Sequence, residues 1–156
     1  MGVNHYSQFL ITHELLGLLK ATPKSRVVHT SSSISKKLGN TDPYIDLDDL
    51  EWKRSNQKFV SFHRYGNSKL ANVLFGEGLA RFFRENKIEA KSVSVHPGAI
   101  KSSFGRSVNS YLNSCILCCI SACAGNVVDG CQSNLACIYR KYEDLEDGMY
   151  YVRLEV

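Results

Sequence analysis

The sequence predicts an α/β protein built on a parallel sheet, and three observations carry that expectation. Short β-branched runs alternate with longer helical stretches, the order expected of strand–helix–strand crossovers. The strand-like runs end in hydroxyl or turn residues, where ligands of open parallel sheets bind. The 156 residues are 44% hydrophobic and 22% charged, enough for one ordinary globular domain over 1–156 with a real core.

Taken in order, residues 8–20 (QFLITHELLGLLK) place Phe9, Leu10, Leu15, Leu16, Leu18 and Leu19 at helical spacing. This reads as a largely buried helix, stopped before Pro23. Residues 26–30 (RVVHT) form a β-branched strand that runs into Ser31, Ser32 and Ser33. Residues 34–59 are polar, carry Asp46, Asp48, Asp49 and Glu51, and read as a long excursion. A second helix is expected over 62–86, with Leu70, Val73, Leu74, Leu79, Phe82 and Phe83 in helical register. Residues 91–95 (KSVSV) form the next strand, cut off by His96-Pro97-Gly98. A third helix fits 127–142, and a last strand, 149–152, follows the turn residues Asp147 and Gly148.

Several classes are disfavoured. A net charge of +4 with scattered Lys and Arg gives no basic stripe, so no nucleic-acid partner is expected. The N-terminus has neither a secretory signal nor a myristoylation motif, since Tyr6 stands where Ser or Thr is needed. The longest apolar stretch, 111–128, is interrupted by Asn113, Ser114, Ser121 and Asn126, short of the ~20 apolar residues of a spanning helix. It reads at most as a surface-seeking segment, compatible with peripheral membrane association. Cys115, Cys118, Cys119, Cys123, Cys131 and Cys137 crowd one window. Only Cys115 and Cys118 have zinc-like spacing, no second ligand pair or His lies nearby, and thiols in a reducing compartment fit better than a metal site. S-acylation is a lesser alternative.

Tyr65 and Lys69 stand four apart on the second helix and share one face. Drawing a proton at neutral pH from a phenol of pKa ~10 costs about 4 kcal/mol, and a nearby ammonium lowers that cost by favouring the phenolate. A serine hydroxyl could hold a carbonyl or alcohol oxygen within reach of the same phenol. Spacing alone would not separate this pair from a solvated helix face.

The surrounding residues do. Tyr65-Gly-Asn-Ser-Lys69-Leu-Ala-Asn-Val-Leu-Phe75 closely resembles the YxxSKLANxLF signature of short-chain dehydrogenases/reductases, nearest the branch of retinol dehydrogenases and the WW-domain-containing oxidoreductase. Residues 26–33 (RVVHTSSS) resemble the family's fifth strand and catalytic serine, and Val3-Asn4-His5 the start of its fourth helix. Residues 46–52 (DLDDLEW) are similar to the loop this branch inserts between Ser and Tyr. Residues 96–102 (HPGAIKS) resemble the element that cradles nicotinamide, and Gly148-Met149-Tyr150-Tyr151 the last strand. The likeness covers essentially the whole chain, in order.

The resemblance implies Tyr65 as general acid/base, Lys69 as the group that lowers its pKa and binds the nicotinamide ribose, and Ser32 as the polarising hydroxyl, with Ser31 and Ser33 as rivals. Asn4 would anchor a water in the proton relay. Pro97, Gly98, Ile100 and Ser102, with Tyr65 and Lys69, would contact the cofactor, NAD or NADP. Residues 103–126 would bind an apolar, retinol-like alcohol or carbonyl. Helices 8–20 and 62–86 would form a homo- or hetero-dimer interface. The location implied is cytoplasmic or the cytosolic face of the endoplasmic reticulum. No TGxxxGxG phosphate-binding turn occurs anywhere in the sequence. The expected fold is therefore the C-terminal half of a Rossmann-type doubly wound parallel sheet, with the N-terminal nucleotide-binding half missing. Dinucleotide binding and turnover by this chain alone are expected to be lost, and a non-catalytic binding or dimerisation module is the alternative reading.

Overall fold

A computed structural model describes residues 1–36, 44–54, 60–100 and 124–152 of the chain. A π-helical turn at Gly2–Tyr6 opens it and runs directly into helix α1, Ser7–Glu14. After a break at Leu15 comes α2, Leu16–Ala21. Strand β1, Ser25–Thr30, leads to a 3₁₀ turn at Ser33–Ser35. The long helix α3, Val60–Glu85, precedes β2, Ala90–His96. Helix α4, Val127–Tyr139, and strand β3, Tyr150–Val152, complete the described elements.

The strands lie in the order β1-β2-β3, and both pairings are parallel. Thr30 stands opposite Val95, and Ser94 opposite Tyr150. Period-two alternation then sorts the side chains onto two faces. Val28, Val93, Val95 and Tyr151 pack with Cys137 of α4 and with Leu145. On the other face Val27 and Ala90 pack with Leu79 and Phe83 of α3, flanked by Leu16 and Leu19 of α2. Between α3 and the strands lies a buried polar layer of His29, Asn72, Ser92 and Ser94. It exists because α3 comes unusually close there: a Cβ at Gly76 would stand 2.5 Å from Ser94 Oγ and 3.1 Å from the His29 ring.

Local chemistry explains the helix ends. At the start of α4 the Asn126 side chain accepts from the Asp129 amide, and Asp129 reaches back to the Asn126 amide, a reciprocal cap. The helix stops at Tyr139, short of the expected 142, because Arg140 leaves helical geometry. The two Arg26 Nη1 hydrogens are shared among the carbonyls of Cys137, Ile138 and Arg140, satisfying groups that the helix end leaves open.

The stretch 8–20 corrects an expectation. It is helical, but two segments replace one helix, and its apolar residues are not largely buried. Phe9 is 50%, Leu10 57% and Leu18 64% exposed, while Thr12 is the one buried residue of α1. Apolar residues point in nearly every direction around this helix, whereas α3 can cover only the side bearing Leu16 and Leu19.

The polar excursion contains an anchored piece. Trp52 is 4% exposed, stacks on His63 at 5.0 Å, and holds a left-handed backbone angle of 51°. Asp49 accepts from the amides of Lys53 and Arg54, and Arg64 donates to the Trp52 carbonyl at 2.9 Å. Cys131 is an exposed thiol and Cys137 a buried one, while Cys115, Cys118, Cys119 and Cys123 lie outside the described residues. Among the described residues, no three potential metal ligands cluster and no helix is long and apolar enough to cross a membrane.

Candidate active site

The carboxyl ends of β1 and β2 form one edge of the sheet, where the serine turn follows β1 and Pro97, Gly98 and Ile100 follow β2. Tyr65 and Lys69 project from α3 with the Lys69 ammonium 5.7 Å from the centre of the Tyr65 ring. The three serines after β1 have different fates. Ser31 is buried and donates to the Lys69 carbonyl at 2.7 Å, tying β1 to α3. Ser33 is exposed and opens the 3₁₀ turn. Ser32 lies between them, with its hydroxyl close enough to the Tyr65 phenol to favour the phenolate.

Burial dominates the electrostatics. It pushes the Tyr65 phenol up from its ordinary value, and the Ser32 hydroxyl opposes it by favouring the phenolate. Burial also lowers the Lys69 ammonium. Lys69 Nζ donates to the Thr30 carbonyl at 3.0 Å, which leaves two of its three hydrogens for other partners. Thr30 is held in turn from α4, where Asn134 donates to Thr30 Oγ1 at 3.2 Å.

Asn4 sits in the opening π-helical turn, a kind of irregularity often found at functional sites. Its amide donates to Ser68 Oγ at 3.0 Å, and Ser68 donates to the Tyr65 carbonyl at 2.7 Å. The Asn4 carbonyl accepts from Asn72 at 2.9 Å, and Asn72 Oδ1 lies 3.1 Å from His5 Nδ1. Asn4 is thereby fastened to the helix that carries Tyr65 and Lys69.

On the β2 side, Gly98 takes a φ of 92°, which only glycine adopts without strain. The chain then turns so that Ile100 bridges Gly125, with the Gly125 amide donating to the Ala99 carbonyl at 3.0 Å. Ile100 lies against α4 at Gly130, where a Cβ would stand 2.1 Å from its Cδ1. Pro97, Gly98 and Ile100 are thus placed at the same sheet edge as Ser32. Ser102 and most of the expected substrate region 103–126 lie outside the described residues.

Sequence reasoning passed over Ser68, Asn72, Thr30, Asn134 and Gly130. Ser68 and Asn72 were findable: they fall three and seven residues after Tyr65, polar positions on a buried helix face. Thr30, Asn134 and Gly130 act across elements, and no spacing rule marks them.

These features define a Rossmann-type α/β arrangement with a Tyr–Lys helix and a serine turn at the carboxyl edge. No protein-family model matches the chain. It is 40% identical over 111 residues to retinol dehydrogenase 14 of Homo sapiens, covering 69% of this chain and 29% of that protein. It is 36% identical over 152 residues to retinol dehydrogenase 12 of Mus musculus, covering 96% of this chain and 44% of the relative. Salutaridine reductase from Papaver somniferum superposes with a TM-score of 0.65 at 18% identity, over 96% of this chain and 52% of that one. NADPH-bound carbonyl reductase from chicken fatty liver gives 0.59 at 17% identity, over 96% and 51%. The chain belongs to the short-chain dehydrogenase/reductase family, on its retinol dehydrogenase-like branch, and spans less than half the length of these retinol dehydrogenases.

Proposed function

We propose that this chain supplies the catalytic and substrate-facing part of an NAD(P)-dependent oxidoreductase acting on an apolar, retinol-like alcohol or its carbonyl. The observation that carries the reading is the meeting of Ser32, Tyr65 and Lys69 at one sheet edge. A bound nicotinamide would supply or accept the hydride at the substrate carbon. The chain's residues do the rest. Ser32 holds the substrate oxygen, and Tyr65 takes or gives the proton at that oxygen. Lys69, with two hydrogens beyond the one given to Thr30, would bind the ribose and favour the Tyr65 phenolate. Asn4 would hold a water in the relay. Pro97, Gly98 and Ile100, the last packed against the side-chain-free surface of Gly130, would form the nicotinamide cradle, with Ser102 beyond them.

Nothing in the sequence offers a Gly-rich turn for the pyrophosphate, so the chain by itself would bind NADH or NADPH poorly. Fluorescence titration of the 156-residue chain with each cofactor is expected to show no saturable binding at micromolar concentration. Saturation there would refute this part of the reading.

The exposed helix face favours a second role alongside the first. Phe9, His13, Leu16, Phe75 and Phe82 line a groove of about 230 Å³ between α1–α2 and α3. With Leu10 and Leu18 exposed beside it, this face suits a dimer through helices 8–20 and 62–86, whether with a second copy or a full-length relative. The cytosolic face of the endoplasmic reticulum, by peripheral association, is the location that accords with an apolar substrate.

A further inference from the structure

The turn that presents Ser32 is held from both sides. Ser35 donates its amide to the Ser32 carbonyl at 2.9 Å, and Lys36 donates to the Ser33 carbonyl at 3.0 Å. On one side α3 presses close, because a Cβ at Gly66 would lie 3.4 Å from the Ile34 carbonyl. On the other side stands Tyr150, the first residue of β3. It is paired with Ser94, whose hydroxyl faces α3, so the Tyr150 ring projects to the same face of the sheet. Lys36 lies over that ring, its Nζ 4.9 Å from the centroid. The Tyr150 hydroxyl is buried beside Ser35 Oγ, itself on a residue only 4% exposed. Neither oxygen completes a hydrogen bond of normal geometry among the described residues. The contact is therefore made by the ring and its shape, with the hydroxyl as a minor partner.

We propose that Tyr150 is a positioning residue: its ring, gripped by Lys36 and packed beside Ser35, fixes the serine turn so that the Ser32 hydroxyl meets the Tyr65 phenol. The inference rests on the proposed Ser32–Tyr65 pair and adds the last strand to that machinery. Among the described residues, Lys69 from α3 and Ser32 from the turn stand beside Tyr65, while Lys36 reaches the ring of Tyr150 from β3. Burial raises the Tyr150 phenol, and the nearby Tyr65 pushes it the same way.

The test is a pH titration of Tyr65 in the 156-residue chain by NMR of ring-labelled tyrosine, its signal assigned by loss in Tyr65→Phe. Ser32→Ala removes the hydroxyl that favours the phenolate and should cut the ionised fraction at a fixed subsaturating pH about tenfold. Tyr150→Leu, which loses the ring, should produce a similar drop, and in the Ser32→Ala background it should add nothing. Tyr150→Phe, which keeps the ring, should leave the Tyr65 titration unchanged. If Tyr150→Leu does not fold, Lys36→Gln at the surface replaces it, with a smaller drop that must also vanish in the Ser32→Ala background. A drop that persists there is direct electrostatics, and it overturns the proposal. So does a Tyr150→Leu titration identical to wild type while Ser32→Ala shifts. If Ser32→Ala itself leaves Tyr65 unmoved, the Ser32–Tyr65 pairing is what fails.

Discussion

At the scale of single residues, burial decides which groups carry charge. His29 is 2% exposed, with Nε2 3.2 Å from Ser92 Oγ and the Phe75 ring 5.0 Å away. Burial, with a smaller push from His5, lowers its pKa from 6.5 to about 4. The unfolded chain therefore binds a proton at this position between those two pH values, whereas the native state does not. Stability contributed by neutral His29 is complete above pH 6.5 and falls as pH drops toward 4. The shift corresponds to about 3 kcal/mol across that window. Urea unfolding at pH 7.5 and at 4.5 should show this loss, and His29→Gln should reduce the difference between the two pH values. An unchanged difference in the variant would place the acid sensitivity elsewhere. Tyr65 and Lys69 obey the same physics, each pushed by burial toward its neutral form.

At the scale of elements, close approach and capping hold the site's supports in place. Gly76→Ala would gain some helix propensity but drive a methyl against Ser94 Oγ and the His29 ring. Ser94 can rotate, while His29 is fixed between Ser92 and Phe75, so overpacking should win by ~1 kcal/mol and lower the urea midpoint. Arg26→Ala removes the two Nη1 hydrogens shared among three carbonyls at the end of α4. A cost of about 1–3 kcal/mol is expected, with faster amide exchange at the last turn of α4. Elements of this kind were legible to different degrees. Strands β1 and β2 and helices α3 and α4 announced themselves through β-branched runs and helical spacing. The start of α4 at Val127 was anticipated, but its end was not, because the Arg26 side chain that satisfies its last carbonyls lies far away in sequence. The reach of Tyr65 and Lys69 over one face was readable from their spacing. The choice of Ser32 among three serines rested on resemblance alone, since neighbouring serines differ only in which way a turn points them. Burial of 8–20 was misjudged because periodicity specifies a shared face and says nothing about what covers it.

At the scale of the whole molecule, the three described parallel strands bring the Ser32 turn to the edge where α3 presents Tyr65 and Lys69, and the rest of the fold supports that edge. Helix α4 holds Thr30 and Ile100, the opening turn braces α3 through Asn4, and β3 brings Tyr150 beneath the serine turn. The apolar face of α1 and α2 stands apart from this machinery. If it is a dimer interface, sedimentation should show a dimer, and Phe9→Lys should convert it to monomer without changing the far-ultraviolet circular dichroism. A wild-type monomer at tens of micromolar would contradict that assignment. The central claim is that Tyr65 moves the proton in an NAD(P)-dependent reaction of an apolar alcohol. Its most direct test is turnover of retinol and simpler apolar alcohols by the protein isolated from its own cells, in whatever assembly it occupies, as wild type and as Tyr65→Phe. The account predicts cofactor-dependent turnover that falls by at least ~100-fold in the variant while cofactor binding persists. Turnover undiminished in Tyr65→Phe would contradict it.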